Sequence, residues 1–167
     1  EVPDSSWFEN RIGARDMPLA ELTQGGCKPE DLLDPEAATE GSWVIDQGKS
    51  EGSQPGFRIT TPGKRRYLVK LDPEEEHERT SAASVLGIAV HHAAGFHTTC
   101  EQLLYVKPRT FRLLPGLRSK TNIGDERPFD QHALDAIVAA APWRDGRVRV
   151  VASAWLPGHL IGPFRYE

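Results

Sequence analysis

The chain has 167 residues, of which 38% are hydrophobic and 26% charged, with a net charge of −4. That is long enough for one domain with a real core, and the slightly acidic balance excludes the basic footprint of a nucleic-acid binder. No run approaches the roughly 18 apolar residues of a membrane span.

Residues 1–42 are polar and acidic, and Pro3, Pro18, Gly25, Gly26, Pro29 and Pro35 interrupt every periodic pattern. They read as an irregular arm that wraps the domain, with a short helical turn at Pro18–Leu22 and with Trp7 and Phe8 as its anchors. Trp43-Val44-Ile45 predicts a first strand, and residues 48–56 a loop of turn formers. Phe57-Arg58-Ile59-Thr60 alternates as a return strand. Thr61-Pro62-Gly63-Lys64 marks a turn, and Arg66-Tyr67-Leu68-Val69-Lys70-Leu71 a third strand. Asp72-Pro73 opens a predicted helix, with Glu74, Glu75 and Glu76 at the positive end of its dipole. Gly95 stops it after Ala94, and Ala82, Val85, Leu86, Ala89 and Ala93 form the stripe expected against the sheet.

Leu103-Leu104-Tyr105-Val106 reads as a fourth strand and Phe111-Arg112-Leu113-Leu114 as a fifth piece. Residues 115–128 read as polar loop. A second, shorter helix is predicted over 130–141, ended by Pro142, and a long last strand over 147–156. The expected fold class is α+β: an antiparallel sheet of about five strands, one long packed helix, a shorter second helix and an irregular N-terminal arm.

Cys27 and Cys100 are too few for a disulfide framework and match no metal or redox spacing, so a reduced pair is expected. The chain has no initiator Met and no apolar signal segment. Residues 161–167 read as a loop after a strand without a closing element. Together these features read as a fragment or a chain cut at both ends, and they leave the compartment open between cytoplasm and export.

Three features carry candidate chemistry. The loop holds Gly48, Gly52 and Gly56, so backbone N–H groups can approach a phosphate unobstructed. Gly48-Lys49-Ser50 is not a Walker A sequence: the nearest earlier glycine, Gly41, has six residues between it and Gly48, and a strand follows in place of a helix. Lys70 ends the third strand beside this hairpin, the arrangement by which kinases position the α- and β-phosphates. Alternation puts Lys70 on the face of Leu68. Glu78 falls on the buried stripe of the predicted helix as an acidic partner. His91, His92 and His97 lack zinc spacing, and Ser153 lies in an apolar strand without a nucleophile elbow.

The segments Val2-Pro3-Asp4-Ser5-Ser6-Trp7-Phe8 and Asn10-Arg11-Ile12-Gly13 resemble the opening of a group of uncharacterised bacterial proteins with a kinase-like fold. The resemblance continues through the tryptophan strand, the loop Gly48-Lys49-Ser50-Glu51-Gly52 with Pro55-Gly56-Phe57, and the strand Tyr67-Leu68-Val69-Lys70-Leu71-Asp72. It follows the helix to Gly95-Phe96 and returns at Ser153-Ala154-Trp155-Leu156-Pro157-Gly158 and Gly162-Pro163-Phe164. It implies that residues 43–167 form a kinase-like N-lobe that ends near the hinge, with Leu156 a hinge candidate. A helical C-lobe beyond Glu167 would be its partner and would carry the catalytic base and the magnesium ligands. The implied function is ATP binding, with Mg in the full-length protein and no complete catalysis by this fragment. The nucleotide-binding candidates are Gly48, Lys49, Ser50, Gly52, Ser53, Gly56, Lys70, Glu78 and Leu156. The group tends to show a helix glutamate where this chain has Ser84, which suggests either that Glu78 substitutes or that the protein is a pseudokinase or interaction module. A small binding domain with an unrelated ligand is a third reading.

Overall fold

The computed structural model describes residues 2–49, 54–120 and 125–158. Ser50, Gly52 and Ser53 of the expected loop, and residues 161–167, lie outside the described residues. The chain is α+β. Its strands are β1 (Trp43–Gly48), β2 (Gly56–Thr60), β3 (Arg66–Lys70), β4 (Glu101–Val106), β5 (Phe111–Leu113), β6 (Arg118–Lys120), β7 (Glu126–Pro128), β8 (Trp143–Arg144) and β9 (Arg147–Ala154). Its α-helices are α1 (Leu19–Gln24), α2 (Arg79–Ala93) and α3 (Gln131–Ala140).

The three-strand meander forms as alternation predicts, with Ile59 opposite Tyr67 and Gly56 opposite Lys70. The main sheet runs β4-β9-β3-β2-β1-β5, with β8 pairing β9, while β6 and β7 make a separate hairpin. The expectation of a purely antiparallel sheet is corrected here, because β5 pairs β1 in parallel, with Trp43 opposite Phe111. Direction is invisible to alternation: β5 returns to the free edge of β1 after a long excursion, the kind of connection a parallel pair needs.

Strand alternation divides the sheet into two unlike faces. On one, Ile45, Phe57, Ile59, Tyr67, Val69, Val106, Val148 and Val150 are buried with Leu134 and Val138 of α3. Asp130 caps α3 by accepting from the Ala133 N–H at 3.0 Å. Leu33 and Ala38 of the arm pack against the same cluster. The other face carries Leu68, Lys70, Glu101, Arg149 and Ser153, and α2 lies over it through hydroxyl and ionic contacts.

α2 therefore departs from the expected apolar stripe. Leu86 and Val90 are 65% exposed, and the residues it buries are Ser81, His92 and Ala93. The helix also starts later than Asp72-Pro73 suggests. Glu74–Glu76 form a 3-10 turn, and Glu78 adopts a left-handed conformation with φ 65° immediately before Arg79. Asp72 still serves the helix, from outside it. Its buried carboxylate accepts from the Glu78 N–H at 3.1 Å, the Ser81 N–H at 2.7 Å and the Thr80 and Ser81 hydroxyls. This places negative charge at the helix N-terminus. Arg149 closes the cluster, donating to Ser81 Oγ at 3.0 Å and pairing with Glu78 at 3.3 Å. Asp72→Ala is expected to cost about 3–5 kcal/mol, because it strands buried donors and the Arg149 guanidinium; chemical denaturation measures it.

The arm is tied down differently from the prediction. Trp7 is 80% exposed. Phe8 does anchor, edge-on to Phe96 at 5.7 Å between ring centroids. The stronger ties are the buried Arg11, which donates to the carbonyls of His92 at 2.8 Å and Phe96 at 3.1 Å, and a disulfide between Cys27 and Cys100. That bridge overturns the expectation of reduced thiols. The two cysteines are brought together by the path of the arm over the head of β4, which their spacing of 73 residues could not reveal. Within the stretch expected as polar loop, Arg118 and Pro128 pair across the β6–β7 hairpin.

Candidate functional site

Lys70 ends β3 on the polar face, while Tyr67 and Val69 of the same strand are buried on the dry face. Its ammonium does not reach toward bulk water: the side chain is 15% exposed and pairs with Glu101 at 2.8 Å. Ser84 of α2 accepts from the Lys70 ammonium at 3.0 Å and donates to the other Glu101 oxygen. Ser153 of β9 donates to Glu101 at 2.8 Å. Three elements of the polar face thus converge on one carboxylate. Burial pushes the Glu101 carboxyl up, but the Lys70 ammonium and the Ser84 and Ser153 hydroxyls outweigh it and hold it below the ordinary glutamate range.

The geometry follows from strand order. β9 lies between β3 and β4, so Leu68 faces Ser153 and Ser153 faces Glu101 in register. After Ala154 the chain leaves the sheet beside this cluster. A cleft of about 470 Å³ results, lined by Leu68, Lys70, Thr99, Glu101 and Ser153 and closed at its far side by Trp155–Gly158. The tryptophan ring is flanked by the guanidinium groups of Arg58 and Arg66, 5.3 and 5.8 Å from its centroid.

The hairpin stands at the other end of Lys70. Gly56 is its register partner, and a Cβ there would lie 2.4 Å from the Val69 carbonyl oxygen. A Cβ at Gly48 would meet the Arg118 carbonyl at 2.5 Å. Both glycines at the feet of the hairpin are thus required by neighbouring backbone. Lys49 donates to the Gln54 carbonyl across the hairpin. Burial, and then the nearby charge of Lys70, push the Lys49 ammonium down to about 8.

Of the candidates read from sequence, Lys70 and Leu156 line one cleft, with Leu156 itself 61% exposed. Gly56 is the register partner of Lys70, and Lys49 reaches it only through its backbone N–H, which donates to the Gly56 carbonyl at 3.2 Å, whereas Gly48 faces the β6–β7 hairpin. Ser50, Gly52 and Ser53 lie outside the described residues. Glu78 is not the partner of Lys70: its left-handed position before α2 turns it to Arg149. The residue missed is Glu101. Its signal was a lone carboxylate at the head of β4, directly after Cys100 and ahead of the apolar run from Leu103, but only the placement of β9 brings it to Lys70. Ser84, noted as a departure from the resembled group, is the hydroxyl bridge between the two. Among the described residues no group of three or more His, Cys, Asp or Glu is placed to hold a metal ion. No described helix is long and apolar enough to cross a membrane.

Comparison with family models, curated proteins and solved structures finds no match to this chain.

Proposed function

We propose that the cleft binds ATP, with magnesium, and that this chain is the nucleotide-binding lobe of a kinase-like protein. The observation that carries the reading is the Lys70 ammonium, held by a buried carboxylate in the wall of a cleft that runs to the chain exit at Leu156–Gly158. A strand lysine fixed by an acid is the element that orients α- and β-phosphates in kinases, whose catalysis is largely positioning and charge stabilisation. Here the acid comes from a neighbouring strand and a helix hydroxyl joins it. Among the described residues lining this cleft, Glu101 is the sole carboxylate, and it is engaged by Lys70, Ser84 and Ser153. Phosphoryl transfer would therefore draw its base and metal ligands from a second lobe, as the resemblance implies.

Calorimetric titration with ATP and magnesium tests the site. Lys70→Ala is expected to weaken binding about 10- to 100-fold, the value of a charge-assisted hydrogen bond. Equal affinity of the folded variant and the wild type would remove Lys70 from the site. Lys70→Met combined with Glu101→Gln leaves no buried charge unpaired and provides a second arm should the single variant unfold.

The pseudokinase or interaction-module reading draws on Ser84, since α2 offers a hydroxyl where the resembled group tends to carry a carboxylate. It predicts nucleotide binding without turnover, or no binding, by the two-lobed protein. A phosphate-release assay on that protein separates the readings.

A further inference from the structure

We propose that the groove between the N-terminal arm and the β2–β3 turn docks an extended acidic segment of a partner protein, with carboxylates on either side of one large apolar side chain. The groove adjoins the nucleotide cleft through Trp155 and Pro157, which line both. The proposal does not rest on the nucleotide reading.

Two hollows, of about 560 and 330 Å³, share Asp31, Arg65, Ala154, Trp155 and Pro157 and so form one groove. The arm builds one wall. The Cys27–Cys100 bridge pins it to the head of β4, and Lys28 follows directly, leading into the 3-10 turn Pro29–Asp31. The β2–β3 turn builds the other wall. There Lys64 is left-handed, with φ 59°, and Arg65 reaches back to the arm, pairing with Asp31 at 2.8 Å. Between the walls runs the chain that leaves β9. Its Trp155 N–H donates to the Arg66 carbonyl at 2.9 Å, and the half-buried indole has the Arg66 guanidinium 5.8 Å from its ring centroid.

Charge identifies the occupant. The protein as a whole carries −4, yet Lys28, Lys64 and Arg66 stand exposed with no carboxylate at ion-pair distance among the described residues. Of the acids in the lining, Asp31 is engaged by Arg65, which leaves Glu30 against three unpaired cations. The cations are spread along the groove: Lys28 belongs to the larger hollow, Lys64 and Arg66 to the smaller, and Arg65 to both. A single phosphate or carboxylate would engage one hollow and leave the other uncompensated. A uniform polyanion such as nucleic acid would press its charge on Glu30 and on an acidic molecule. A peptide with spaced carboxylates meets both hollows. Between them Trp155, Pro157 and the exposed Leu156 offer an apolar seat for one large side chain, the mix of aromatic, arginine and polar rim that protein interfaces favour.

The test is fluorescence anisotropy of a fluorescein-labelled peptide, EDEFEDE, titrated with the disulfide-bonded protein. The peptide is expected to bind at least about tenfold more tightly than its neutral counterpart QNQFQNQ, and to weaken severalfold as salt rises from about 50 to about 300 mM. Lys28→Glu is expected to lower affinity about fivefold and Lys64→Glu/Arg66→Glu about tenfold, since each reversal removes an attraction and adds a repulsion. Lys107→Glu, outside the groove, makes the same charge change as Lys28→Glu and is expected to alter affinity less than about twofold. All four positions are exposed, and circular dichroism checks the fold of each variant. No binding by the wild type, equal binding of the neutral peptide, or an equal loss in Lys107→Glu overturns the proposal. Loss on reversal in one hollow alone would mean a compact anion and overturns the extended segment, as does undiminished binding of EDEAEDE. Tighter binding of a thymidine dodecamer than of EDEFEDE would make the groove a nucleic-acid surface instead.

Discussion

Glu101→Ala is expected to lower the free energy of unfolding by about 3–5 kcal/mol, measured by urea or guanidinium denaturation. The magnitude comes from what the substitution leaves behind. Lys70 keeps a side chain only 15% exposed, now without its counter-charge, and the Ser84 and Ser153 hydroxyls lose a common acceptor. A double-mutant cycle with Lys70→Met is expected to show strong coupling, because the two changes remove one interaction. Added salt is expected to change the loss little, since the pair is shielded from mobile ions. The acid limb provides an independent check. The folded-state pKa of Glu101 lies below its unfolded value, so its contribution is complete above the ordinary glutamate range of about 4.3. It is lost as pH falls through the lower folded value. Wild-type stability should therefore drop more steeply in acid than that of Glu101→Gln.

Breaking the Cys27–Cys100 bridge is expected to cost about 4 kcal/mol, the chain-entropy value for a loop closed across 73 residues. For a chain of this size that is a fall in Tm on the order of 10 °C. Thermal unfolding with and without a reductant, and of Cys27→Ser/Cys100→Ser, measures it. An unchanged Tm would mean that Arg11, Phe8 and Leu33 hold the arm without covalent help. A bridge of this kind persists in oxidising compartments. Of the two settings the sequence leaves open, it favours export.

The elements whose identity rests on local pattern were legible. Alternation located β1, β2 and β3 and put Lys70 on the face of Leu68, while Asp130 and Pro142 bracketed α3. The misreadings share a cause, which is dependence on partners distant in sequence. β5 pairs in parallel with a strand some seventy residues earlier. The β6–β7 hairpin, Arg118-Ser119-Lys120 against Glu126-Arg127-Pro128, has no apolar alternation to announce it. The helix was assigned a greasy underside because Leu86 and Ala89 fit the period, but the face beneath it carries Lys70, Arg149 and Glu101. The site followed the same division. Lys70 was visible by itself, whereas its acid could be chosen only once β9 was known to lie between β3 and β4. Glu78 was the acid that fitted the helical stripe and the wrong one in space, since it turns to Arg149.

That insertion of β9 has a consequence for how the molecule is made. Among the described residues β4 has no sheet neighbour other than β9, and β3 meets its second neighbour there. Until residues 147–154 emerge, the early meander has an open flank and β4 has nothing to dock on. Closure of the sheet is thus a late, long-range event, which makes for slow assembly and a vulnerable nascent chain. The same event assembles the cleft, because Lys70 and Glu101 become neighbours only when the last strand slides between theirs.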